Sequence, residues 1–344
     1  MSGREGEGSE GGTRVMSGIQ PTGEIHIGNY FGAIENWIRL TEEYEAFIAI
    51  VDYHAITTEY DPEAFPEAVE GAVISLLAAG LDPEKCHIFI QSEVPEHTEL
   101  AWILTTLAPL GNLRRMTQFK EKAGGAGEAV DAGLLMYPVL QAADILLYKA
   151  DRVPVGEDQV QHIELTRVLA RRFNNAFGET FPEPEPVLTK ARRILGLDGK
   201  SKMSKSRGNH IGLLDSPETI REKMATAFTD PQRKRVSDPG RPWVCNVFSL
   251  HHYFSERETI DRVDRECRAA EIGCHEDKML LAENMIERLR PMRERAAELR
   301  SDPDRVREIL AAGREAAAAV ARETMGEVRE RMGLWRATRR PDTG

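Results

Sequence analysis

Two short apolar runs constrain this chain most. Residues 46–51 form a continuous apolar stretch ending at Asp52, and residues 86–90, apolar but for His87, form a second run ending at Gln91. A strand with one face in water alternates polar and apolar residues, so runs like these belong to strands buried on both faces, as in parallel sheets. Between them, residues 62–79 place Phe65, Ala68, Val69, Ala72, Val73, Leu76 and Leu77 at helical spacing. Upstream, residues 15–19 read as a strand, 20–23 as a turn, and 29–40 as a helix with Phe31, Ile34, Trp37 and Ile38 on one face. Strand–helix alternation of this kind predicts an α/β fold with a doubly wound parallel sheet, whose ligands bind beyond the C-terminal ends of the strands.

Beyond about residue 215 the pattern becomes helical. Leu281, Met285, Leu289 and Met292 share one stripe, Asp302-Pro303 reads as a helix start before 306–325, and Gly326 reads as its stop. Residues 172–190, rich in Pro, Asn and Glu, read as a connecting loop. A length of 344 residues suits two such domains. The Gly/Glu/Ser-rich residues 1–12 and the residues from 336 to 344 read as flexible tails. No apolar run approaches the roughly 20 residues of a membrane span, and the N-terminus lacks the apolar core of a signal peptide. Four irregularly spaced cysteines are too few for a disulfide scaffold. The expectation is a soluble cytoplasmic protein without a membrane partner. The net charge of −11 counts against a nucleic-acid partner.

Two motifs carry chemistry. His26-Ile27-Gly28-Asn29 sits where the first strand meets its helix. A helix N-terminus presents unpaired N–H groups to phosphate, Gly28 lets the backbone approach, and His26 and Asn29 can donate to phosphate oxygens. The alternative is a surface or capping histidine. Lys202-Met203-Ser204-Lys205-Ser206 lies in a loop between Gly199 and Asn209. Two lysines around small hydroxyl residues suit a triphosphate, and the alternative is a solvated linker.

Together, in this order, the motifs resemble the HIGH and KMSKS signatures of class I aminoacyl-tRNA synthetases. Residues 17–23 (Ser-Gly-Ile-Gln-Pro-Thr-Gly), 50–57, 89–95, 115–120, 133–138, 142–148 and 153–159 are similar to the tryptophan branch of that family. The resemblance spans roughly residues 15–330. It implies a Rossmann-like catalytic domain over 13–214, with a connective insertion at about 95–185 and the KMSKS loop at 200–208. A helical, anticodon-binding domain would follow over 215–335. Also implied are ATP and Mg²⁺, activation of L-tryptophan, transfer to tRNA(Trp), and a homodimer. The activation needs no general base, because the attacking carboxylate is already ionised. Gln20, His26, Asn29, Lys202 and Lys205 match the catalytic groups. Gly18, Ile19, Gly28, Gly156, Asp158, Ile194, Met203 and Ser204 join them around ATP, with Asp158 on the ribose. For tryptophan the matching positions are His54, Tyr137, Gln141, Asp144, Ile145, Val155 and Gln159, with Tyr137 and Gln159 on the α-amino group. An indole differs from a phenol by its bicyclic face and one N–H donor, so selection needs a buried acceptor. Asp144 matches that acceptor. It lies among Ala142, Ala143, Ile145, Leu146 and Leu147, where a carboxylate is costly without a purpose. The alternative is a helix aspartate paired with a cation. Gln141 stands where many members carry methionine, which puts a polar group beside the indole.

Cys245, Cys267 and Cys274 are separated by 21 and 6 residues, and Asp277 follows. Some bacterial members hold a [4Fe–4S] cluster here with four cysteines. This chain has aspartate in the fourth place and a first gap shorter by one. Three readings stay open: an empty site, a cluster completed by Asp277, His275 or solvent, or zinc using His275. Cys86 reads as a buried thiol. The competing functions are a tyrosyl-tRNA synthetase, a cofactor-type adenylyltransferase, and a non-charging synthetase-like regulatory protein. Arg233-Lys234-Arg235 and the arginines of 336–340 are candidate tRNA-phosphate contacts.

Overall fold

The computed structural model describes residues 13–21, 25–117, 119–120, 131–188 and 194–334. The expected tails, part of the 20–23 turn, the middle of the insertion and the arginines of 336–340 lie outside the described residues. Five strands form one parallel sheet: β1 (Arg14–Ile19), β2 (Glu45–Ile50), β3 (Cys86–Ile90), β4 (Arg152–Val155) and β5 (Glu185–Leu188). Their order is β3-β2-β1-β4-β5. The chain therefore winds outward from β1 to β3, then crosses back to β4 on the other side. The strand order reverses between β1 and β4, and a crevice opens there beyond the strand ends. The doubly wound sheet expected from the apolar runs is present. Both runs are buried on each side, with Phe47, Ile48, Ala49, Ile88 and Phe89 essentially inaccessible.

The helices are α1 (Ile27–Asn29), α2 (Glu35–Leu40), α3 (Asp52–Ala55), α4 (Phe65–Ala79), α5 (Glu96–Leu107), α6 (Leu110–Arg115) and α7 (Ala132–Leu147). After them come α8 (Val160–Phe177), α9 (Pro217–Ala225), α10 (Asn246–Phe254), α11 (Arg257–Ala269), α12 (Cys274–Ser301) and α13 (Pro303–Arg331). A π-helical turn, Tyr30–Ile34, joins α1 to α2, so the helix expected over 29–40 starts earlier and is locally widened. One sheet face (Val15, Ile48, Ile50, Ile88) packs against α4 and α12 through Leu76, Leu281, Met285 and Leu289. The other (Met16, Phe47, Ala49, Phe89) packs against α5, α7, α8 and α13 through Leu104, Leu146, Leu169 and Ala321.

Two expectations change. The 172–190 loop is partly regular, because Phe173 is fully buried and extends α8 to Phe177. Residues 185–188 then form β5, an edge strand, where Pro186 can sit without leaving a ladder bond unmade. Gly326 does not stop its helix, since buried Met325 and Val328 hold the last turns and α13 runs to Arg331. The start was legible: Asp302 caps α13 by accepting from Arg305 N, with Pro303 in the first turn. Among the helices after residue 215, α13 lies against β3. Gly313 brings α13 against β3 so closely that a Cβ there would lie 2.0 Å from the Ile88 carbonyl oxygen.

Candidate active site

A cleft of about 360 Å³ lies at the point where the strand order reverses. Strand ends supply Ser17, Gly18 and Gln20 from β1 and Val155 and Gly156 from β4, while His54 follows β2. Helix α7 supplies Tyr137, Gln141, Asp144 and Ile145, and Gln159 precedes α8. All seven residues predicted for the amino-acid substrate therefore line one cavity, although they span more than a hundred positions of sequence. The volume lies within the range of small-molecule sites, and its few polar groups converge among apolar walls. Ile19, by contrast, packs on the opposite sheet face. Ile194 lines a separate, larger cleft of about 1250 Å³ beside Phe31, Trp243 and Tyr253. Asp158 is exposed on the short turn between Gly156 and Gln159.

Asp144 is 4% exposed. Its Oδ1 accepts from Gln91 Nε2 at 2.7 Å and pairs with His97 Nδ1 at 2.6 Å, while Oδ2 pairs with His54 Nε2 at 2.7 Å. Burial alone pushes this carboxyl up, but the charge and hydrogen bond of His54 and the hydrogen bond of His97 more than reverse it. They hold the group well below the usual carboxylate range. An ionised carboxylate only accepts, so both imidazoles donate to it. His97 Nε2 in turn meets the Tyr148 hydroxyl at 2.8 Å. Tyr137 OH lies 2.9 Å from His162 Nε2. Burial pushes the phenol up to about 12 and the His162 imidazole, chiefly by burial, down to about 4, so the pair is neutral. Gln91, His97, Tyr148 and His162 went unassigned by sequence reasoning. A polar residue directly after β3, at a ligand-binding strand end, was the available signal for Gln91.

Beside the cleft, the two phosphate motifs meet. Ile27 N donates to Ile211 O, and a Cβ on Gly28 would lie 3.4 Å from Met203 Cβ. His26 caps its helix: Nδ1 accepts from Asn29 N at 3.2 Å, and Asn29 Oδ1 accepts from His26 N at 3.1 Å. The capping alternative is thus correct for one ring nitrogen. Burial first, then the charges of His210 and Lys202, lower this imidazole from its ordinary 6.5 to about 4. A neutral ring whose Nδ1 accepts must carry its proton on Nε2. His26 therefore keeps one donor in addition to its cap. Lys202 and Lys205 are exposed, and Met203 is buried. Asn209, also unassigned from sequence, holds the loop. Its Oδ1 accepts from Ser204 N at 2.8 Å, and Nδ2 donates to Asp198 Oδ2 at 3.0 Å and Ser201 Oγ at 2.9 Å.

Cys245, Cys267, Cys274 and Asp277 lie near one another, but Asp277 and Cys267 have partners elsewhere. Asp277 Oδ1 meets the buried His251 Nε2 at 3.0 Å, and the other ring nitrogen meets Ser255 Oγ at 2.6 Å. Arg233 donates toward Cys267 Sγ at 3.6 Å and to the carbonyls of Ile272 and Val236. Burial pushes the Cys245 thiol up to about 11. Among the described residues no set of three or more Cys, His, Asp or Glu side chains is arranged to hold a metal ion. These residues do not fit a cluster or zinc. Arg233 is spent inside the fold rather than offered to phosphate. Cys86 is a buried thiol, as expected, pushed up to about 12 by burial.

Residues 9–290 match the family described as class I tRNA synthetases of the W and Y type. Over 327 residues the chain is 52% identical to a tryptophan–tRNA ligase of Deinococcus radiodurans, covering 94% of this chain and 99% of that one. It is 45% identical over 326 residues to one of Thermotoga maritima, covering 93% and 99%. It is also similar to the crystal structure of tryptophanyl-tRNA synthetase from Campylobacter jejuni complexed with ADP and tryptophan. The TM-score is 0.87 at 36% identity, covering 94% of this chain and 100% of that one.

Proposed function

The chain belongs to the class I tRNA synthetases of the tryptophan and tyrosine type, and from that premise we propose that it is a tryptophan–tRNA ligase. It activates L-tryptophan with ATP and transfers it to tRNA(Trp). The observation that carries this reading is the buried, ionised Asp144 facing an otherwise largely apolar cleft of about 360 Å³. The near full-length identity to tryptophan–tRNA ligases supports the same substrate over tyrosine.

In this reading the indole lies between Ile145 and Val155 with its N–H on Asp144 Oδ2. Tyr137 and Gln159 hold the α-amino group. The Tyr137 hydroxyl is itself held within hydrogen-bond distance of His162 Nε2. One oxygen of the substrate carboxylate attacks the α-phosphorus, the bond to the bridging oxygen breaks, and pyrophosphate leaves. Gln20 lies beside the reacting phosphate. His26 Nε2–H, Asn29 and the close backbone at Gly28 receive the nucleotide, and Lys202 and Lys205 neutralise charge building on the leaving phosphates. Mg²⁺ enters as part of the MgATP substrate, which suits an ion that prefers phosphate oxygens and water to protein cages. In the second step the terminal ribose hydroxyl of tRNA displaces AMP from the adenylate.

The helices after residue 215 are assigned to anticodon reading, and a location in the cytoplasm follows from a tRNA substrate. Among the described residues no helix is long and apolar enough to cross a membrane. A homodimer is supported by Trp102 and Leu110, which leave 70% and 51% of their surface exposed on adjacent helices. Sedimentation of the purified protein tests it, and a monomer at micromolar concentration overturns it. The activity is tested by tryptophan-dependent ATP–pyrophosphate exchange followed by charging of tRNA. Exchange with tryptophan and not tyrosine is expected. Failure of tryptophan, tyrosine and phenylalanine alike removes the enzymatic reading.

A further inference from the structure

The Asp144 carboxylate is held by two residues outside the cleft. Gln91 and His97 are both fully buried and neither lines the cavity, whereas Asp144 and His54 do. A carboxylate oxygen offers two in-plane lone pairs. Gln91 Nε2 at 2.7 Å and His97 Nδ1 at 2.6 Å fill both on Oδ1. Among the described residues only His54 meets Oδ2, so one acceptor direction is left there. Two donors on one oxygen fix the rotation of the carboxylate plane, which a single donor cannot do. The amide of Gln91 has one sensible orientation, since its Oε1 would otherwise face a carboxylate. His97 is itself fixed at its far nitrogen by the fully buried Tyr148 hydroxyl, 2.8 Å away.

We propose that Gln91 and His97 are positioning residues for substrate selection. By occupying Oδ1 of Asp144 they aim the remaining lone pair of Oδ2 at the indole N–H. This rests on the tryptophan reading of the cleft. Neither residue touches substrate, and each acts through Asp144.

The test uses the full-length protein and two substrates, L-tryptophan and its isostere with sulfur in place of the indole N–H. The readout is kcat/KM for pyrophosphate exchange with each. The unmodified protein prefers tryptophan strongly, because a buried acceptor left without its donor is penalised. Gln91→Met and His97→Leu are expected to raise KM for tryptophan about ten- to a hundredfold, the worth of a hydrogen bond to a charged group. The sulfur isostere changes little, so the preference collapses. His97→Asn, whose amide nitrogen can occupy the Nδ1 position, retains most of it. If both substrates lose activity equally in each folded variant, or if neither variant alters the preference, the positioning role is overturned. If the unmodified protein exchanges tryptophan without preferring it to the isostere, the assignment of Asp144 to the indole falls, and this proposal with it.

Discussion

At Asp144 a carboxylate with about four acceptor directions meets three protein donors and keeps one direction for the cleft. Asp144→Asn keeps the shape but turns an amide N–H toward a ligand that also donates. Tryptophan-dependent exchange should then fall about a hundredfold in kcat/KM, the scale of one charged hydrogen bond. Steady-state exchange kinetics check this, and a loss under threefold argues against the assignment. His26 illustrates how one side chain serves two ends. Its Nδ1 completes a capping box while its Nε2 keeps a donor. Sequence reasoning offered capping and phosphate binding as alternatives, and the two ring nitrogens make them compatible.

Among the elements, one residue each tests the 200–208 loop and α13. Asn209 ties Ser204 N to Asp198 and Ser201 across the loop. Asn209→Ala should lower kcat for exchange about tenfold, with KM for tryptophan unchanged, since the cleft contacts are elsewhere. Equal loss in both parameters contradicts that role. Gly313 lets α13 cross β3 at a distance no Cβ tolerates. Gly313→Ala should destabilise the protein by about 1–3 kcal/mol, as overpacking does, and urea unfolding measures it. Strands β1, β2 and β3 and helices α2, α4, α12 and α13 were legible, because a buried parallel strand and an amphipathic helix each write their period into the chain. The length of α8, the strand β5 and the run of α13 past Gly326 were not. The length of α8 is decided by burial of Phe173, and the run of α13 by burial of Met325 and Val328, against distant residues, which overrides local turn preference.

For the molecule as a whole, titration of buried histidines couples folding to pH. His26 and His162 fall from 6.5 to about 4 in the fold. Between those values the unfolded chain binds these protons and the native protein does not, so stability rises with pH across that window and is lost as pH falls through about 4. Denaturation midpoints measured from pH 4 to 7 should increase, then level off above about 6.5. A flat profile contradicts it. The net charge of −11 gave the wrong prior about nucleic acid, because a phosphate backbone responds to local cations rather than to the total. The sequence by itself determined the α/β class, the order of the first strands, and the family through its two phosphate motifs. Those are properties of short stretches and of their spacing. Only the tertiary structure decided that Gln91, His97 and Tyr148 stand behind Asp144, that Asn209 holds the loop, and that Asp277 turns to His251 rather than to a metal. A hydrogen-bond partner is chosen by what folding brings within 3 Å. For these groups those partners are mostly dozens of residues away in the chain.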